Sequence, residues 1–504
     1  MGHASTRSVT LTGLSAHLID IDADTHAEAG AAPGDAGLHV VGLPELSVWP
    51  ARARIRAAIC NGAPPWPDTQ VTVTVTPALP VYNAAADLAL AVAALAAAGL
   101  IPPERIAGRV FLGELALDGQ ICPIRGVLPM VAAAVRAGIS TVVVPAACAR
   151  EAAQVPGAVV IPATRLADVV DDLCHGTLRN PHHDHGSEVA LSSPFAVDLA
   201  DVPGNPAARR ALEVCAAGGH HLFLSGDGPA TMLAERLPGI LPPLTGETAR
   251  EVAEIYSLAG HPGRAPGVTP PLSAPHHTST AAAVFGSVAG NRPGAVSLAH
   301  CGVLHLADAP EFASPVLDGL CRPLDSGQVH LTGLGRSVRY PARFTLVLDT
   351  RPCPCPERRE ECACTPEVKR RYRARLALLL SRVAVRAPVE QRDTSARAGE
   401  PSATVAARVL AARIRAAHRL ADTPWRTNAE IPAPDLRTRF PVTPEAAELL
   451  RSAANAGLVT ADGLSRLLRV AWTLTDLRGA DRPQADDAAG ALDLWKRADT
   501  DAAR

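Results

Sequence analysis

The sequence predicts a mixed α/β fold, because strand-like and helix-like segments alternate along most of its 504 residues. Residues 71–76, VTVTVT, alternate polar and apolar side chains with the period of a half-buried strand. Residues 88–103 form an apolar, alanine-rich run that predicts a buried helix, capped by Asn83 and ended at Gly99. Residues 221–233, HLFLSGDGPATML, have the pattern of a strand, a glycine turn and the start of a helix.

The other elements indicate three domains and one linker. Residues 1–173 add a strand at 141–145 and a helix at 146–153, and residues 174–198 have the polar, Gly/Pro/Ser-rich composition of a linker. A second α/β unit follows, and after it a small helical domain that is rich in arginine and alanine. In these two units we predict helices at 207–217 and 231–237, strands at 222–225, 295–306 and 343–348, and a loop at 422–440.

The composition narrows the class of protein. A net charge of −2 excludes a basic field over the whole molecule, although a local basic groove stays open. The N-terminus lacks the basic start and apolar stretch of a secretory signal, and the run at 88–103 is too short to span a bilayer. Eleven cysteines without such a signal indicate a reducing compartment. We therefore expect a cytoplasmic protein without a membrane partner.

The glycine turn after residue 225 is too short for a complete phosphate-binding loop. The motif G-x-x-x-x-G-K-[ST] wraps phosphate in backbone N–H groups, and its lysine reaches the β and γ phosphates. Only four residues separate Gly226 from Thr231, where the motif needs six. Pro229 lacks an N–H donor, Asp227 adds negative charge, and no lysine is nearby. Taken alone, this stretch favours a structural turn over a nucleotide site.

Two C-x-C pairs bring four thiols into twelve residues. They are Cys353, Cys355, Cys362 and Cys364. Four thiolates suit tetrahedral zinc, so we predict a structural zinc site, with free thiols or disulfides formed on purification as the alternative. A second group with metal-binding side chains is His182, His183 and His185. For that group a solvated linker is the favoured interpretation, because nothing nearby completes a site.

Longer stretches carry a resemblance that covers nearly the whole chain in order. They include VVGLPELSVWPARARIRAAICNG (40–62), DLADVPGNPAARRALEVCAAGGHHLFLSG (198–226), RPGAVSLAHCGVLHLADAPEF (292–312), PCPC…CACTPEVKRRY (352–372) and LSRLLRVAWTLTDLRG (464–479). Together they resemble the Mg-chelatase-like AAA+ ATPases of the ComM/YifB type.

The resemblance implies an architecture and partners. Residues 1–173 are similar to the proteolytic domain of Lon, 199–395 to an AAA+ P-loop-type core with a Cys-rich insert at 352–364, and 396–504 to a helical lid. ATP and Mg²⁺ are the implied cofactors, a homo-oligomeric ring of six subunits the implied assembly, and DNA the implied partner, in branch migration during natural transformation. The N-terminal domain has no lysine, and its helix start at 83–87 has no serine, which excludes a Ser–Lys peptidase dyad.

The chain departs from the family pattern where the chemistry lies. The family loop resembles GPPGTGKTML, and this chain has GDGPATML. The Walker B stretch, which resembles LFLDE in relatives, is LHLAD, so that Ala307 replaces the first acid and Asp308 is the shortened second one. The sensor-1 asparagine corresponds to Arg351. The positions that the resemblance assigns to nucleotide binding are Gly226, Asp227, Gly228, Thr231 and Arg466.

Some arginines of the family pattern remain. Arg382 is a candidate finger that acts on a neighbouring subunit, and the lid keeps Arg466 and Arg469. Trp472 stands where a further lid arginine is expected. Three histidines lie in family-like stretches, where they line the pore or the edge of the pocket, or else pack or cap; they are His276, His277 and His300.

Hydrolysis by an AAA+ protein needs a phosphate cradle, a metal, a polarised water and a neighbouring arginine. Three of these four are damaged here, which predicts that the motor fold persists and that ATP hydrolysis is lost. The protein would then act as a non-hydrolysing ring or adaptor, including a mixed ring with an active paralogue. The alternatives are an active DNA motor in which Arg236 or Arg351 replaces the lysine, and a decaying gene product.

Overall fold

A computed structural model describes residues 2–26, 37–62, 69–79, 82–176, 197–261, 269–355, 362–390 and 399–496. Most of the predicted linker lies outside the described residues, and so do all three of the histidines that were considered there as metal ligands.

The N-terminal unit is a seven-stranded sheet with helices, in the strand order β3-β4-β2-β1-β5-β8-β9. Strands β1, β2 and β4 pair antiparallel, and the other neighbours in this sheet pair parallel. The strands are β1 (His3–Thr12), β2 (Ser15–His26), β3 (Leu38–Val41), β4 (Gln70–Thr76), β5 (Arg109–Phe111), β6 (Glu114–Leu115), β7 (Ile121–Cys122), β8 (Thr141–Pro145) and β9 (Val159–Ala163). The helices are α1 (Glu45–Gly62), α2 (Asp87–Ala97), α3 (Pro103–Ile106), α4 (Val127–Arg136), α5 (Ala149–Ala152) and α6 (Leu166–His175).

Local patterns explain the strand at 71–76 and the helix after Asn83, whereas the helix predicted at 146–153 is a 3₁₀ turn, Ala146–Cys148, followed by the short α5. The alternating valines of β4 are buried and its threonines face outward. Every residue of α2 is buried, as its continuous apolar sequence requires. The side chain of Asn83 accepts a hydrogen bond from the Ala85 N–H, which caps the short 3₁₀ turn that leads into α2, and Gly99 follows the helix with a φ of 78°.

The central unit is built on a five-stranded parallel sheet in the order β11-β14-β17-β10-β18. Its strands, with two short hairpins, are β10 (Leu222–Gly226), β11 (Leu272–Ser273), β12 (Gly286–Ser287), β13 (Arg292–Pro293), β14 (Val303–Leu306), β15 (Gln328–Gly333), β16 (Arg336–Pro341), β17 (Thr345–Thr350) and β18 (Val385–Val389). Its helices are α7 (Pro206–Gly218), α8 (Ala230–Arg236), α9 (Gly246–Ala259), α10 (Ala281–Phe285), α11 (Ala295–Leu298), α12 (Ser314–Gly319), α13 (Cys321–Ser326), α14 (Pro366–Ala374) and α15 (Ala377–Leu380).

Two strand predictions in this unit need correction. The single strand predicted at 295–306 is wrong, because the first part is the short helix α11 and only Val303–Leu306 is the strand β14. A turn separates them, in which Cys301 has a φ of 57° and Gly302 lies so close to the Pro271 carbonyl that a Cβ would be 2.0 Å from its oxygen. The strand predicted at 343–348 is real, but it begins and ends two residues later.

The C-terminal unit is helical, as predicted. Its helices are α16 (Ser402–Arg419), α17 (Ala433–Thr438), α18 (Pro444–Asn455), α19 (Ala461–Arg478) and α20 (Ala485–Lys496). The loop predicted at 422–440 is only partly correct, because α17 and the 3₁₀ turn Asn428–Glu430 lie within it. These short pieces are ordered by buried contacts, since Leu436 and Ile431 pack on Trp472 of α19.

The three units share their cores. One buried apolar cluster runs from Leu11 and Val131 of the first unit to Leu258 and Leu304 of the second. Another joins the central sheet to α16, α19 and α20 of the third. With this mixed α/β architecture, its parallel central sheet and its helical C-terminus, the predicted fold class is confirmed.

A buried histidine links the third unit to the central sheet. His220 directly precedes the β10 region, and its Nε2 lies 2.8 Å from the Thr473 Oγ1 of α19. Burial, with Arg469 nearby, lowers the pKa of His220 to about 3. His220 is therefore neutral in the folded protein.

This lowered pKa predicts acid sensitivity. In the unfolded chain a histidine binds its proton near pH 6.5, whereas folded His220 does so only near pH 3, so the free energy of unfolding falls as the pH drops through this window. The loss is at most about 1.4 kcal/mol per pH unit. His220→Gln keeps a polar group near Thr473 without titrating, and it should flatten the pH dependence of the thermal midpoint between pH 7 and pH 5. Exposed His39→Gln is the control, and equal pH profiles for all three proteins would contradict the prediction.

Candidate functional site

Three strands of the central sheet end side by side where the sequence predicts chemistry. β17 lies between β14 and β10, and all three run parallel. Their carboxyl ends therefore meet at one edge of the sheet, where open α/β sheets bind ligands. This edge carries the glycine turn after β10, Asp308 after β14 and Arg351 after β17.

The glycine turn packs directly on the end of β18. Gly226 has a φ of 142°, and a Cβ on it would lie 2.0 Å from the Val389 carbonyl oxygen. A Cβ on Gly228 would lie 2.1 Å from the Glu390 carbonyl oxygen. Both glycines are thus required by backbone contact inside the fold, which is the structural role that the sequence favoured for this stretch.

The turn also consumes its own hydrogen-bond donors. The Ala230 N–H donates to the Gly228 carbonyl at 2.8 Å, across Pro229 with a φ of −79° and a ψ of 56°. This geometry is an inverse γ-turn. Because proline has no N–H, two positions of the turn offer no donor to a phosphate. Asp227 and Thr231 are exposed beside it.

Asp308 is held in place by a buried carboxylate. Its backbone is left-handed, with a φ of 48°, and its N–H donates to Asp349 Oδ1 at 2.8 Å. The other oxygen of Asp349 accepts from His305 Nε2 at 2.7 Å. His305 and Asp349 are both buried. The sequence analysis missed this pair, although a histidine and an aspartate within the apolar stretches VLHL and TLVLD were a visible signal.

Arg351 neutralises the Asp308 carboxylate. Its Nε lies 2.9 Å from Asp308 Oδ1, and its Nη2 lies 3.6 Å from Glu311 Oε1. A guanidinium therefore contacts the acid that the resemblance assigns to a metal and a polarised water. Since it already compensates the negative charge, a divalent cation would have to displace it.

The second arginine considered as a substitute for the lysine is committed elsewhere. Arg236 is buried, and its guanidinium donates to the carbonyls of Asp198 and Met232 at 2.8 and 2.9 Å. It also reaches Asp201 Oδ2 at 3.2 Å. These bonds hold α8 against the turn that precedes α7. Arg351 is the other arginine that was considered as a replacement for the phosphate-binding lysine.

Two predicted site residues lie at the opposite edge of the sheet. Arg382 precedes β18 and forms a two-pronged ion pair with Asp325, at 2.8 and 2.6 Å. Arg466 of α19 lies in the same region as Arg382. Burial lowers the pKa of His221 to about 4, and the positive charges of Arg466 and Arg382 contribute to this lowering. His221 stands at the start of β10 and the glycine turn at its end. The structure therefore does not bring Arg466 to the glycine turn.

The four clustered cysteines do come together. Cys353 Sγ lies 2.9 Å from Cys355 Sγ and 3.2 Å from Cys362 Sγ, and all four sulfurs lie within 4.8 Å of one another. Four thiolates at about 2.3 Å around one zinc ion would be about 3.8 Å apart, so the closest sulfurs here would move apart slightly to hold it. Four thiols that converge within 4.8 Å are the donor set that a structural zinc ion takes. A hydrogen bond from the Cys364 backbone lowers the pKa of Cys362 to about 7, which favours the thiolate that a metal needs.

The family-like histidines have structural contacts. The rings of His276 and His277 are 4.1 Å apart, and His277 meets the edge of Phe312 at 6.5 Å. His300 accepts from the Arg343 N–H at Nδ1, and its Nε2 lies 3.0 Å from Glu251. Because both ring nitrogens are engaged, His300 packs rather than offering a free ligand atom.

The class of protein follows from this architecture and from three family matches. The family "Magnesium chelatase, subunit ChlI" matches residues 198–397, "Subunit ChlI of Mg-chelatase" matches 27–148, and "Magnesium chelatase, subunit ChlI C-terminal" matches 399–494. The chain therefore belongs to the magnesium-chelatase-like family, whose AAA+ type of core is consistent with the parallel sheet.

Individual relatives define the branch of that family. An uncharacterized protein of Mycobacterium tuberculosis is 42% identical over 96% of this chain and 97% of its own length. YifB of Escherichia coli is 34% identical over 88% of each chain. The competence protein ComM of Haemophilus influenzae is 33% identical over 88% of this chain and 89% of its own. The resemblance to the ComM/YifB type is thus confirmed.

The buried pair beneath Asp308 makes a prediction about stability. Asp349→Ala removes the acceptor of both the His305 ring and the Asp308 N–H, and it should lower the free energy of unfolding by about 2–4 kcal/mol. Asp308→Asn is the matched control: it disturbs only the half-exposed ion pair with Arg351 and should cost about 1 kcal/mol or less. Thermal unfolding would compare them, and equal shifts in the midpoint would count against Asp349 as the organising residue.

Proposed function

We propose that this chain is a family member that no longer hydrolyses ATP and works as a subunit of a ring or as an adaptor. The observation that carries the proposal is the Arg351–Asp308 ion pair, which neutralises the remaining acid of the metal site from within the chain. The γ-turn at Pro229 supports it, because it removes donors from the loop. Losing one preorganised donor alone costs on the order of a hundredfold in rate.

In this proposal Arg382 acts on the nucleotide site of a neighbouring subunit and not on the glycine turn of its own chain. It lies at the sheet edge opposite the glycine turn, and Asp325 holds its guanidinium in a two-pronged geometry. An arginine supplied to a neighbouring site stabilises the charge of phosphoryl transfer and is worth about 10³–10⁵ in rate in related hydrolases. A mixed hexameric ring would let this chain supply Arg382 to an intact paralogue. AAA+ family members are typically oligomeric, which favours such an assembly.

The remaining parts of the proposal follow from family membership. We assign residues 1–173 to the Lon-like domain, 174–198 to the linker, 199–395 to the AAA+ core and 396–504 to the lid. The name of the Haemophilus relative, a competence protein, supports a role in competence. By the family resemblance we propose that this role is DNA remodelling in the cytoplasm. The structure contains no helix of the length and apolarity needed for a membrane span within its described ranges. ATP and Mg²⁺ are cofactors that the family in general suggests.

A structural zinc ion is the cofactor that we propose for this chain itself. The four sulfurs converge directly after β17, between Arg351 and α14. The ion would be held by Cys353, Cys355, Cys362 and Cys364, and it would supply rigidity without any catalytic step. It would fix the segment that follows the central strand of the site.

The nucleotide prediction is tested by calorimetry with the purified full chain. We expect no binding of ATP with or without Mg²⁺, because the loop lacks the lysine and two donors. Phosphate release should likewise be absent with branched DNA. Arg351→Ala is the informative variant, since it exposes Asp308 without restoring the loop and should still not hydrolyse ATP.

Magnesium-dependent ATP binding by the wild-type chain would overturn the proposal and favour the active motor. In a second arm, the chain is mixed with a family member that has the intact loop GPPGTGKTML. The mixed ring is supported if the wild-type chain raises the ATP hydrolysis rate of this family member. The rate should be at least tenfold lower with the Arg382→Ala variant than with the wild-type chain, and the exposed control Arg437→Ala should behave like the wild type. If the two proteins do not associate, the mixed-ring part of the proposal is wrong.

The zinc prediction is tested by elemental analysis. We expect about one zinc per chain, with Cys362→Ser and Cys364→Ser each losing most of it, because three thiolates hold the ion more weakly. Cys60→Ser, at an exposed position of α1, is the matched control and should retain the metal. Four reactive thiols in native protein without bound zinc would contradict the assignment.

A further inference from the structure

Helix α14 carries an unusual concentration of positive charge. Its nine residues, PEVKRRYRA, contain Lys369, Arg370, Arg371 and Arg373 against the single acid Glu367. The chain as a whole has a net charge of −2, so this helix is a local basic patch on a nearly neutral protein. It is a local basic surface, which the net charge of the whole chain does not exclude.

These four side chains have no partner among the residues that the structure describes. Several arginines elsewhere are paired: Arg408 pairs with Glu213 and Glu400, and Arg382 with Asp325. Like charges on neighbouring turns of a helix repel one another and lower its stability. Within the described part of the chain, these four cations in five positions therefore repel one another, and an anionic ligand would relieve that repulsion.

The helix is held firmly enough to present these charges as a surface. Tyr372 is buried beside the half-buried Lys369 and Arg373, and the Thr365 side chain caps the N-terminus of the helix by accepting from the Val368 N–H at 3.4 Å. At the other end, Arg375 Nη2 donates to the Phe312 carbonyl at 2.8 Å. The helix begins two residues after Cys364, so the thiol cluster anchors its start.

The spacing separates the charges into a stripe. Lys369, Arg370 and Arg373 stand at positions i, i+1 and i+4, which places them within about one third of the helix circumference, whereas Arg371 lies about 100° further round from Arg370. Arg370 and Arg371 are exposed, whereas Lys369 and Arg373 are half-buried. Such a stripe matches a row of phosphates better than it matches one small anion.

We propose that α14 is a contact surface for the phosphate backbone of nucleic acid. The class of ligand rests on the proposed DNA-linked role, and the site itself rests on the unpaired charges of the helix. The contact is electrostatic and does not read sequence, because arginine and lysine on phosphate position a duplex without distinguishing its bases.

The test measures DNA binding by the full chain alone. Binding is monitored by the fluorescence anisotropy of a labelled 40-base-pair duplex at several salt concentrations. The variant Lys369→Gln/Arg370→Gln/Arg373→Gln removes three phosphate contacts, so the slope of log Kobs against log salt should become less steep by about 2–3 units. Affinity should fall at least tenfold at low salt. The charge-keeping variant Lys369→Arg/Arg370→Lys/Arg373→Lys should retain both slope and affinity.

The matched control removes the same charge from three scattered exposed positions, as Arg56→Gln/Arg105→Gln/Arg437→Gln. It should shift affinity only slightly. Equal salt slopes for the α14 variant and this control overturn the inference, as does a wild-type chain that binds no duplex. Zinc content and circular dichroism of each variant establish that the fold is intact. No nucleotide enters the assay, so its outcome is independent of whether the chain binds ATP.

Discussion

The Asp349 carboxylate is the interaction on which the carboxyl edge of the central sheet depends. It is buried between two strands and accepts from both the His305 ring and the Asp308 N–H. A buried charge without such partners would cost several kcal/mol, so this geometry fixes the left-handed turn at Asp308. That turn in turn presents the Asp308 carboxylate to Arg351. The fold thus neutralises the Asp308 carboxylate with a side chain of its own.

Much of the fold was predictable because its signals are local. The period of β4, the apolar sequence of α2 and the cap at Asn83 need no distant partner. The segment 295–306 could not be divided correctly, since its turn is held by His300, which bonds Glu251 and Arg343 more than forty residues away. The four cysteines were found by spacing alone. The position of Arg466 could not be read, because it depends on how the helical unit docks.

That docking explains why the predicted site residues divide between two edges of the sheet. Asp476 of α19 accepts two bonds from Arg419 and one from Asn428, and Asn428 also donates to Thr473 beside His220. This buried network joins α16, α19 and the start of β10. It therefore carries Arg466 toward the amino ends of the strands, where Arg382 also lies, and away from the glycine turn at their carboxyl ends.

The separation of these edges gives a physical reason why the scaffold persists while its loop has changed. The helical unit is held by the Asp476–Arg419 ion pair and by an apolar cluster that includes Leu467 and Trp495. The same cluster reaches the glycine turn through Val389, on which the turn packs. The turn is stabilised by backbone packing of Gly226 and Gly228 on β18, without any ligand. Loss of a lysine in this loop therefore removes chemistry at one edge and leaves intact the contacts that hold Arg382 at the other. The folding of this edge therefore depends on backbone packing within the chain and not on a bound phosphate.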